Sequence, residues 1–195
     1  MDWLAGLDTT ILLFVNRTLA NPVGDVLWPL ITDYDRLLPA RILLAAVWLW
    51  LLIKGGRRGR TVALLLPPLL LLTDQVSSTL LKDLIGRPRP CHEVDGVPVV
   101  TGIRLLVDCG PGKSFPSSHA VNNFALATLF TRYYPKGAPY FFLWASLVAL
   151  SRVAVGVHFP SDALGGAAIG TALALLLLAG WRNLERRIWP PEEPV

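Results

Sequence analysis

The chain has 195 residues, enough for one domain of ordinary size and too few for two. Its residues are 53% hydrophobic and 16% charged, with a mean hydropathy of +0.50, which excludes a disordered chain and an ordinary soluble domain, where about 25% of residues are charged. The net charge of +4 suits a membrane surface or an anionic substrate and is too small to indicate a nucleic-acid partner.

The first predicted element, Leu4–Ile31, is apolar but is interrupted by polar residues such as Asn16 and Arg17. It either crosses the membrane or lies in the interface as an amphipathic helix, and the sequence leaves both open. The predicted organisation is an amphipathic or first membrane segment at 1–36, a transmembrane core at 37–182 and a cytoplasmic tail at 183–195.

Five longer apolar runs follow, and their lengths fit helices that cross a bilayer, which need about 20 residues. They are Leu37–Ile53, Thr61–Leu81, Ala120–Tyr133, Ala138–Val157 and Ala163–Gly180, of which Ala120–Tyr133 is short unless its polar ends are included. The predicted fold class is therefore all-α, a polytopic membrane helix bundle with five or six transmembrane helices and one long extracytoplasmic loop. Within the last run, Gly166 and Gly170 predict close helix packing.

The distribution of cations predicts the orientation of this bundle. If the helices alternate, one side collects Lys54, Arg57, Arg58, Arg60, Arg132, Lys136, Arg182, Arg186 and Arg187. The positive-inside tendency makes that side cytoplasmic and places the long connection, Lys82–Ser118, on the extracytoplasmic side of the inner cell membrane. In this orientation Trp28 lies near the outer membrane interface, and the inner interface has Trp48, Trp50, Trp181 and Trp189. The alternative is that these tryptophans simply fill apolar helix faces.

The same alternation brings four helix ends to one face of the membrane, whichever face that is. This layer holds Lys82, Arg87, Arg89, Ser117, Ser118, His119, Arg152, His158 and Asp162. Charged groups at membrane depth are costly, so their clustering there indicates a function. Cations, histidines and a carboxylate at the mouth of an apolar bundle predict a site for an anionic group on an amphiphile.

Two of the motifs in this layer are suited to binding phosphate. Six residues separate Lys82 from Arg89, and prolines stiffen the backbone around Arg89. Two cations on a stiff backbone can bind a phosphate from both sides, or they can simply anchor the chain to lipid headgroups. Ser117 and Ser118 precede an apolar run and predict a helix N-terminus, where backbone N–H groups bind anions. His119 in the first turn can donate a proton to a leaving oxygen, although a serine cap beside an interfacial histidine is also a common structural feature.

The third motif predicts a nucleophile. A histidine can attack phosphorus when one ring nitrogen is free and a carboxylate holds the other, and Asp162 follows His158 by four residues. Pro160 interrupts regular helix between them, so a tight turn into the last helix must supply the geometry. The alternative is that His158 and Asp162 only cap that helix.

Together the motifs resemble the type-2 phosphatidic acid phosphatase superfamily, integral-membrane lipid phosphatases related in fold to vanadium haloperoxidases. The family pattern Lys, six residues, Arg-Pro is met by Lys82, Arg89 and Pro90, and Pro-Ser-Gly-His by Pro116, Ser117 and His119, with Ser118 in place of glycine. The pattern Ser-Arg, five residues, His, three residues, Asp is met by Ser151, Arg152, His158 and Asp162. The resemblance runs from about Thr61 to Gly180.

The resemblance implies phosphoryl transfer without a metal. In it His158 forms a phosphohistidine, Asp162 orients His158, and His119 is the general acid and later the base for water. The residues implied to stabilise phosphate charge are Lys82, Arg89, Arg152, Ser117 and Ser118. The expected substrate is undecaprenyl diphosphate, with phosphatidylglycerophosphate, phosphatidate and the 1-phosphate of lipid A as alternatives.

The remaining predictions concern single residues and competing functions. Cys91 and Cys109 in the long loop either form a disulfide, worth about 3 kcal/mol, or stay free thiols. Asp74, inside an apolar run, is predicted to be a buried partner of a cation such as Arg152 or Arg41.

With two cysteines and three histidines, the chain has too few soft ligands for a multi-cysteine zinc or iron–sulfur site, and we expect no metal and no cofactor. A membrane transporter is the alternative of a different class, and it would place its charges near the bilayer midplane instead of at one rim. A catalytically silent lipid-binding protein is the third hypothesis. The oligomeric state is left open.

Overall fold

A computed structural model describes residues 2–188 of the chain. Trp189 and the predicted tail beyond Ile188 lie outside the described residues, as do the side chains of Arg186 and Arg187. Helix α1 (Asp2–Leu13) continues through a π-helical turn (Phe14–Thr18), and α2 (Pro22–Thr32) follows. Asn21 caps α2 because its side chain accepts a hydrogen bond from the backbone N–H of Gly24, and Pro22 suits the first helical position.

The middle of the chain forms two long helices. A 3₁₀ turn (Tyr34–Arg36) leads to α3 (Leu38–Lys54), and α4 (Gly56–Asp74) runs through a π-helical segment (Gln75–Leu81) into the short α5 (Lys82–Ile85). The long connection that follows contains a two-stranded antiparallel hairpin, β1 (Glu93–Val94) and β2 (Val97–Pro98), with Val94 opposite Val97.

The last three helices complete the bundle. They are α6 (Ser118–Tyr133), α7 (Ala138–Ala154), which follows a 3₁₀ turn (Pro135–Gly137), and α8 (Pro160–Ile188). Helix α6 packs most extensively against α8, and two glycines of α8 permit this. A Cβ at Gly166 would lie 2.7 Å from the backbone oxygen of Ser117, and one at Gly170 only 2.0 Å from that of Val121. The close packing predicted at these glycines is confirmed.

The apolar core has two parts. One lies among α3, α4, α6 and α8 around Leu51, Leu69 and Leu129. The other lies beneath the rim where α1, α6, α7 and α8 meet, around Leu12 and Phe159. The outward faces of the helices carry many exposed leucines and isoleucines, as expected for contact with lipid.

The described helices include three stretches long and apolar enough to cross a membrane, Gly56–Ile85, Pro135–Ala154 and Pro160–Arg182. Helices α3 and α6, with 17 and 16 residues, are shorter. The prediction of an all-α membrane bundle with one long loop is confirmed, and a total of five or six crossings stays a prediction. The segment Leu4–Ile31 is divided between two helices, with a break between Thr18 and Pro22.

The first segment is fastened to the long loop. The buried Asn16 side chain donates to the backbone oxygens of Arg104 (2.7 Å) and Ala154 (2.8 Å), and its oxygen accepts from the Arg104 N–H (2.7 Å). Arg104 also forms an ion pair with Asp25 of α2 at 2.6 Å. These bonds hold the loop over the end of the bundle at which α7 ends and α8 begins.

Candidate active site

His158 lies in the turn between α7 and α8 and is 1% exposed. Gly156, with φ +86°, lets the chain reverse immediately after α7, and the backbone N–H of His158 donates to the Arg152 oxygen at 3.2 Å. Pro160 is the first residue of α8, a position that needs no backbone N–H. The turn into the last helix therefore holds the imidazole at the rim.

Asp162, fully buried in the first turn of α8, is fixed by several donors. Its Oδ1 accepts from Arg87 at 2.8 Å, and its Oδ2 accepts from the Phe159 N–H at 2.8 Å and from the Ser114 hydroxyl. The same Oδ2 lies 3.5 Å from Nδ1 of His158, at the outer limit of a hydrogen bond. The carboxylate thus faces Nδ1 and leaves Nε2 for a ligand.

A second layer of ionic contacts holds Arg87 in place. Its guanidinium donates to Ser161 Oγ (2.7 Å) and to Asp8 Oδ2 (2.7 Å) and lies 4.0 Å from the centre of the Phe159 ring. Asp8, from α1, also accepts from the Ser161 backbone N–H at 2.9 Å. Arg87 is expected at the rim from the sequence, but its role there emerges only from these contacts. Asp8 is not among the predicted site residues, and the signal that points to it is a carboxylate inside an apolar segment.

Two further cations meet at the same rim. Arg152 is 6% exposed and donates from one terminal nitrogen to Thr32 Oγ1 at 2.8 Å, while its Nε has no partner in the described residues. Lys82 makes no hydrogen bond or ion pair with any described residue, and it interacts electrostatically with Arg89, Arg152 and Asp162. These cations therefore share one face of the bundle.

Arg89 is held by the long loop. Its Nε donates to the Gly112 oxygen at 3.0 Å, and a terminal nitrogen donates to the Cys109 oxygen. Cys109 is joined by a disulfide to Cys91, with the Cα atoms 6.1 Å apart. The disulfide therefore closes the part of the loop that fixes the guanidinium.

The start of α6 brings hydroxyls and an imidazole to the site. Ser117 occupies the N-cap position of α6, where the sequence predicts a helix start, and its hydroxyl makes no capping bond and is buried without a partner among the described residues. Ser118 Oγ lies 3.3 Å from Ser77 Oγ and 3.1 Å from Ser78 Oγ. His119 interacts electrostatically with Arg152, His158 and Lys82, so both imidazoles belong to one cluster.

Unsatisfied polar atoms converge at this place. Among the described residues, Ser117 Oγ and Arg152 Nε are buried donors without partners. Buried donors without partners are costly and rare in folded proteins. The half-buried Lys82 ammonium also has no hydrogen-bond or ion-pair partner in this part of the chain. Two buried donors and a cation in one cluster are typical of a site whose ligand supplies the acceptor oxygens.

The electrostatics of the cluster suit a nucleophilic imidazole. Burial lowers the pKa of His158 to about 4, the neighbouring Arg152 and Arg89 add to this lowering, and the Asp162 carboxylate opposes it. The imidazole is therefore neutral at neutral pH, as a nitrogen nucleophile must be. No group of three or more histidine, cysteine or acidic side chains in the described residues is arranged to hold a metal.

The prediction for Asp74 is wrong. Its side chain is exposed, it accepts a hydrogen bond from Ser78 Oγ at 2.9 Å, and it forms no ion pair with Arg152 or Arg41. The physical reason is that both arginines have other partners, Thr32 for Arg152 and the Asp35 backbone oxygen for Arg41.

A groove leads from the site down the bundle between α3, α4 and α6. It has a volume of about 510 Å³ and begins beside Ser118 and His119. Its deeper walls are apolar and include Leu51, Leu70 and Phe130. A hydrocarbon chain fits such walls, so the arrangement can place an amphiphile with its phosphate among the cations and its tail against the helices.

Comparisons with known proteins agree with this chemistry. The family model of the PAP2 superfamily matches residues 63–186, a range that contains all three motifs. A lipid A 4′-phosphatase of Bacteroides thetaiotaomicron is 30% identical over 178 residues, covering 87% of this chain and 75% of that protein. A decaprenylphosphoryl-5-phosphoribose phosphatase of Mycobacterium tuberculosis is 35% identical over 112 residues, covering 56% of this chain and 58% of that protein.

The fold is shared with a solved membrane enzyme. The crystal structure of a PAP2 type phosphatidylglycerolphosphate phosphatase from Bacillus subtilis superimposes with a TM-score of 0.72. The match covers 95% of this chain and 90% of that chain at 22% sequence identity. At this identity the likeness establishes the architecture alone.

Proposed function

Because this chain belongs to the PAP2 superfamily and is a membrane lipid phosphatase, we propose that it transfers the phosphate of an amphiphile first to His158 and then to water. Burial, with Arg152 and Lys82 nearby, lowers the pKa of His119 to about 3, so among the protein groups alone this ring is neutral at neutral pH. We propose that the phosphate anion raises this pKa and that His119 takes up a proton as the substrate binds. Nε2 of His158 then attacks phosphorus while the bond from phosphorus to the lipid oxygen breaks and His119 gives that oxygen its proton. His119 then takes a proton from water, the water oxygen attacks phosphorus, and the bond to His158 breaks. The products are a lipid alcohol, or a lipid monophosphate from a diphosphate, and inorganic phosphate.

The observation that carries this proposal is the convergence of unpaired donors around His158. Ser117 Oγ, Arg152 Nε and the Lys82 ammonium have no acceptor among the described residues, and three phosphate oxygens would supply acceptors. We propose that Arg89 and the backbone N–H of Ser118, at the start of α6, complete this set. Charge that spreads over these oxygens in the transition state is then stabilised by donors fixed in advance, usually the largest catalytic contribution.

Asp162 acts on this reaction through His158. Bonds from Arg87, Phe159 and Ser114 leave its carboxylate almost no freedom to rotate, and Oδ2 stays beside Nδ1 of His158. We propose that this holds the proton on Nδ1, directs Nε2 at phosphorus, and stabilises the positive ring of the phosphohistidine.

Two substrates follow from different observations. Undecaprenyl diphosphate is the substrate proposed from the sequence, because the chain is small and the site would face outward. A phosphate of lipid A is the second candidate, because the Bacteroides relative that aligns with 87% of this chain carries that name. We place the site on the extracytoplasmic side of the inner membrane, where the Cys91–Cys109 disulfide persists in an oxidising environment.

Phosphate release by the purified protein tests the function. The protein in detergent, with a chelator present, is given undecaprenyl diphosphate, lipid A, phosphatidylglycerophosphate and phosphatidate in parallel. We expect release of inorganic phosphate from at least one lipid, abolished in His158→Ala. Release that requires added divalent metal, or that survives this substitution, contradicts the proposal.

The pKa of His158 gives a separate prediction. Substitution of His92 and His119 by Ala leaves His158 as the sole histidine, so histidine-selective NMR follows one imidazole. We expect its midpoint near pH 4, because burial opposes the charged ring, and the nucleophile is therefore lost only as the pH falls through that value. A midpoint near 6.5, that of a solvated histidine, would mean that the ring is not buried in this way.

The Asp8 contacts predict a catalytic effect from the first helix. Asp8→Ala removes the acceptor for Arg87 and Ser161, so the Asp162 carboxylate loses part of its support. We expect kcat to fall about tenfold with little change in KM, because ligand contacts are kept and only the orientation of His158 is loosened. The measurement is steady-state kinetics on the lipid with the highest turnover.

The control is Asp25→Ala, which breaks an ion pair of similar length between the first segment and Arg104, away from Asp162. We expect kcat to be unchanged in this control. Equal losses in the two variants would show that Asp8 only stabilises the fold.

A further inference from the structure

The groove contains a carboxylate that the proposed reaction does not use. Asp74 belongs to the membrane-spanning stretch Gly56–Ile85, yet its side chain is exposed and lines the groove below His119. It forms no ion pair within the described residues, and its charge interacts at longer range with Lys82 at the phosphate end of the site. An ionisable group is costly to keep at membrane depth, so an unpaired carboxylate in a lipid-accessible groove indicates a function.

Serine hydroxyls connect this carboxylate to the phosphate end of the site. Ser78 Oγ donates to Asp74 Oδ1 at 2.9 Å and lies 3.1 Å from Ser118 Oγ. Ser78 belongs to the π-helical segment Gln75–Leu81, and π-helical turns occur frequently at functional sites. Ser118 stands where the family pattern has glycine, so the hydroxyl that closes this connection is a feature of this chain. Two hydrogen bonds, through the Ser78 hydroxyl, thereby connect Asp74 to Ser118 at the start of α6.

Other polar groups face the same part of the groove. Asn122, one helical turn beyond His119, has its Oδ1 buried without a partner, and the Tyr34 hydroxyl donates to Asn123 Oδ1 at 3.3 Å. The groove is therefore polar just below His119 and apolar farther down. A bare hydrocarbon chain in the polar part would leave Asp74 and Asn122 against apolar atoms, which is unfavourable.

We infer that Asp74 and Asn122, with Ser78 holding the Asp74 carboxylate in place, form a subsite for hydroxyl or amide N–H groups carried next to the scissile phosphate, and that the preferred substrate is a phosphorylated glycolipid. This inference rests on the proposed function, because it takes the phosphate to lie among Lys82 and Arg152. A carboxylate accepts hydrogen bonds from the hydroxyls of a sugar ring.

Undecaprenyl diphosphate fits this subsite less well. It has no hydrogen-bond donor between its phosphates and its hydrocarbon chain. Its second phosphate would approach Asp74 with the same sign of charge, and like charges in a site that excludes water repel strongly. The inference therefore ranks a sugar phosphate on a lipid above the polyprenyl diphosphate expected from the sequence.

The test compares two lipids in three proteins. Values of kcat/KM for lipid A and for undecaprenyl diphosphate are measured with the wild type, Asp74→Asn and Asp83→Asn. We expect the wild type to prefer lipid A at least about tenfold, and Asp74→Asn to lose about 10- to 100-fold on lipid A and nothing on undecaprenyl diphosphate. Asp83 is a matched control, since it lies on the same long helix but lines a different surface cavity, and its substitution leaves both values unchanged.

If Asp74→Asn does not fold, a second variant, Ser78→Ala, still tests the inference. Ser78→Ala removes the hydrogen bond to Asp74 while the carboxylate remains, and we expect a smaller loss that is again confined to lipid A. A wild-type preference for undecaprenyl diphosphate, or equal losses on both lipids, overturns the inference and leaves the phosphatase function intact. If neither lipid releases phosphate in a His158-dependent manner, the proposed function fails and the inference with it.

Discussion

Replacement of His158 by Ala should abolish turnover, with kcat reduced by about 10⁴-fold or more, as expected when the nucleophile of a covalent mechanism is removed. The side chain is buried with a neutral ring, and Asp162 lies beside Nδ1, so Nε2 is the ring nitrogen left to attack phosphorus. The cavity left by the ring costs some stability, and thermal unfolding in detergent checks that the bundle persists. The rate of phosphate release from the preferred lipid is the measurement.

His92→Ala is the matched control for this substitution. His92 lies in the long loop, where its Nε2 is 2.8 Å from the Gly110 oxygen, and it takes no part in the cluster at the rim. We expect His92→Ala to retain wild-type kcat. If His158→Ala retains even a tenth of the activity, the covalent route through this residue is wrong.

The substitution Asp162→Asn has the second largest expected effect, a loss of about 10³- to 10⁴-fold in kcat, by analogy with the loss of the orienting carboxylate in catalytic triads. The amide has nearly the same shape, so the fold is kept. When the amide oxygen accepts from Arg87, the NH₂ group faces the Phe159 N–H and Ser114; when the oxygen accepts from those two, the NH₂ group faces Arg87. In either orientation the NH₂ group meets a donor where a carboxylate oxygen accepted. His158 Nδ1 loses its negative neighbour, so the phosphohistidine is no longer stabilised.

Phosphate binding by Asp162→Asn distinguishes a misoriented His158 from a collapse of the whole site. Ser117 meets Asp162 only through the backbone, where the Ser117 N–H donates to the Asp162 oxygen at 3.1 Å, and no donor of Lys82, Arg152 or Ser117 bonds to the Asp162 carboxylate. We therefore expect Asp162→Asn to bind inorganic phosphate, or vanadate as its analogue, within about threefold of the wild type. Loss of anion binding together with kcat would show that Asp162 maintains the site as a whole instead of orienting one imidazole.

Much of the site is visible in the sequence because helix alternation alone brings its parts together. Lys82, His119 and Asp162 each stand at a helix end, and the parity of the crossings places those ends on one face without any knowledge of packing. The structure adds that the histidine turn depends on Gly156 and Pro160, which are local features and therefore also readable.

The supporting contacts were not readable, because they join residues far apart in sequence through side-chain packing. Asp8 meets Arg87 across 79 residues, Ser114 meets Asp162 across 48, and Thr32 meets Arg152 across 120. Thr32 and Ser114 are ordinary residues in their own segments, and Asp8, although a carboxylate in an apolar segment, gives no indication of its partner. The Asp74 prediction failed for the same reason, since the choice of partner depends on which face of α4 borders the groove.

The most direct test of the account is to trap the phosphorylated enzyme. Protein is mixed with lipid carrying ³²P in the scissile phosphate, quenched in alkali, which preserves phosphohistidine, and digested for peptide mapping. The account predicts label on the peptide that contains His158 and no label on the corresponding peptide of His158→Ala. Phosphate release without any labelled peptide, or label on another residue such as Ser117, would contradict it.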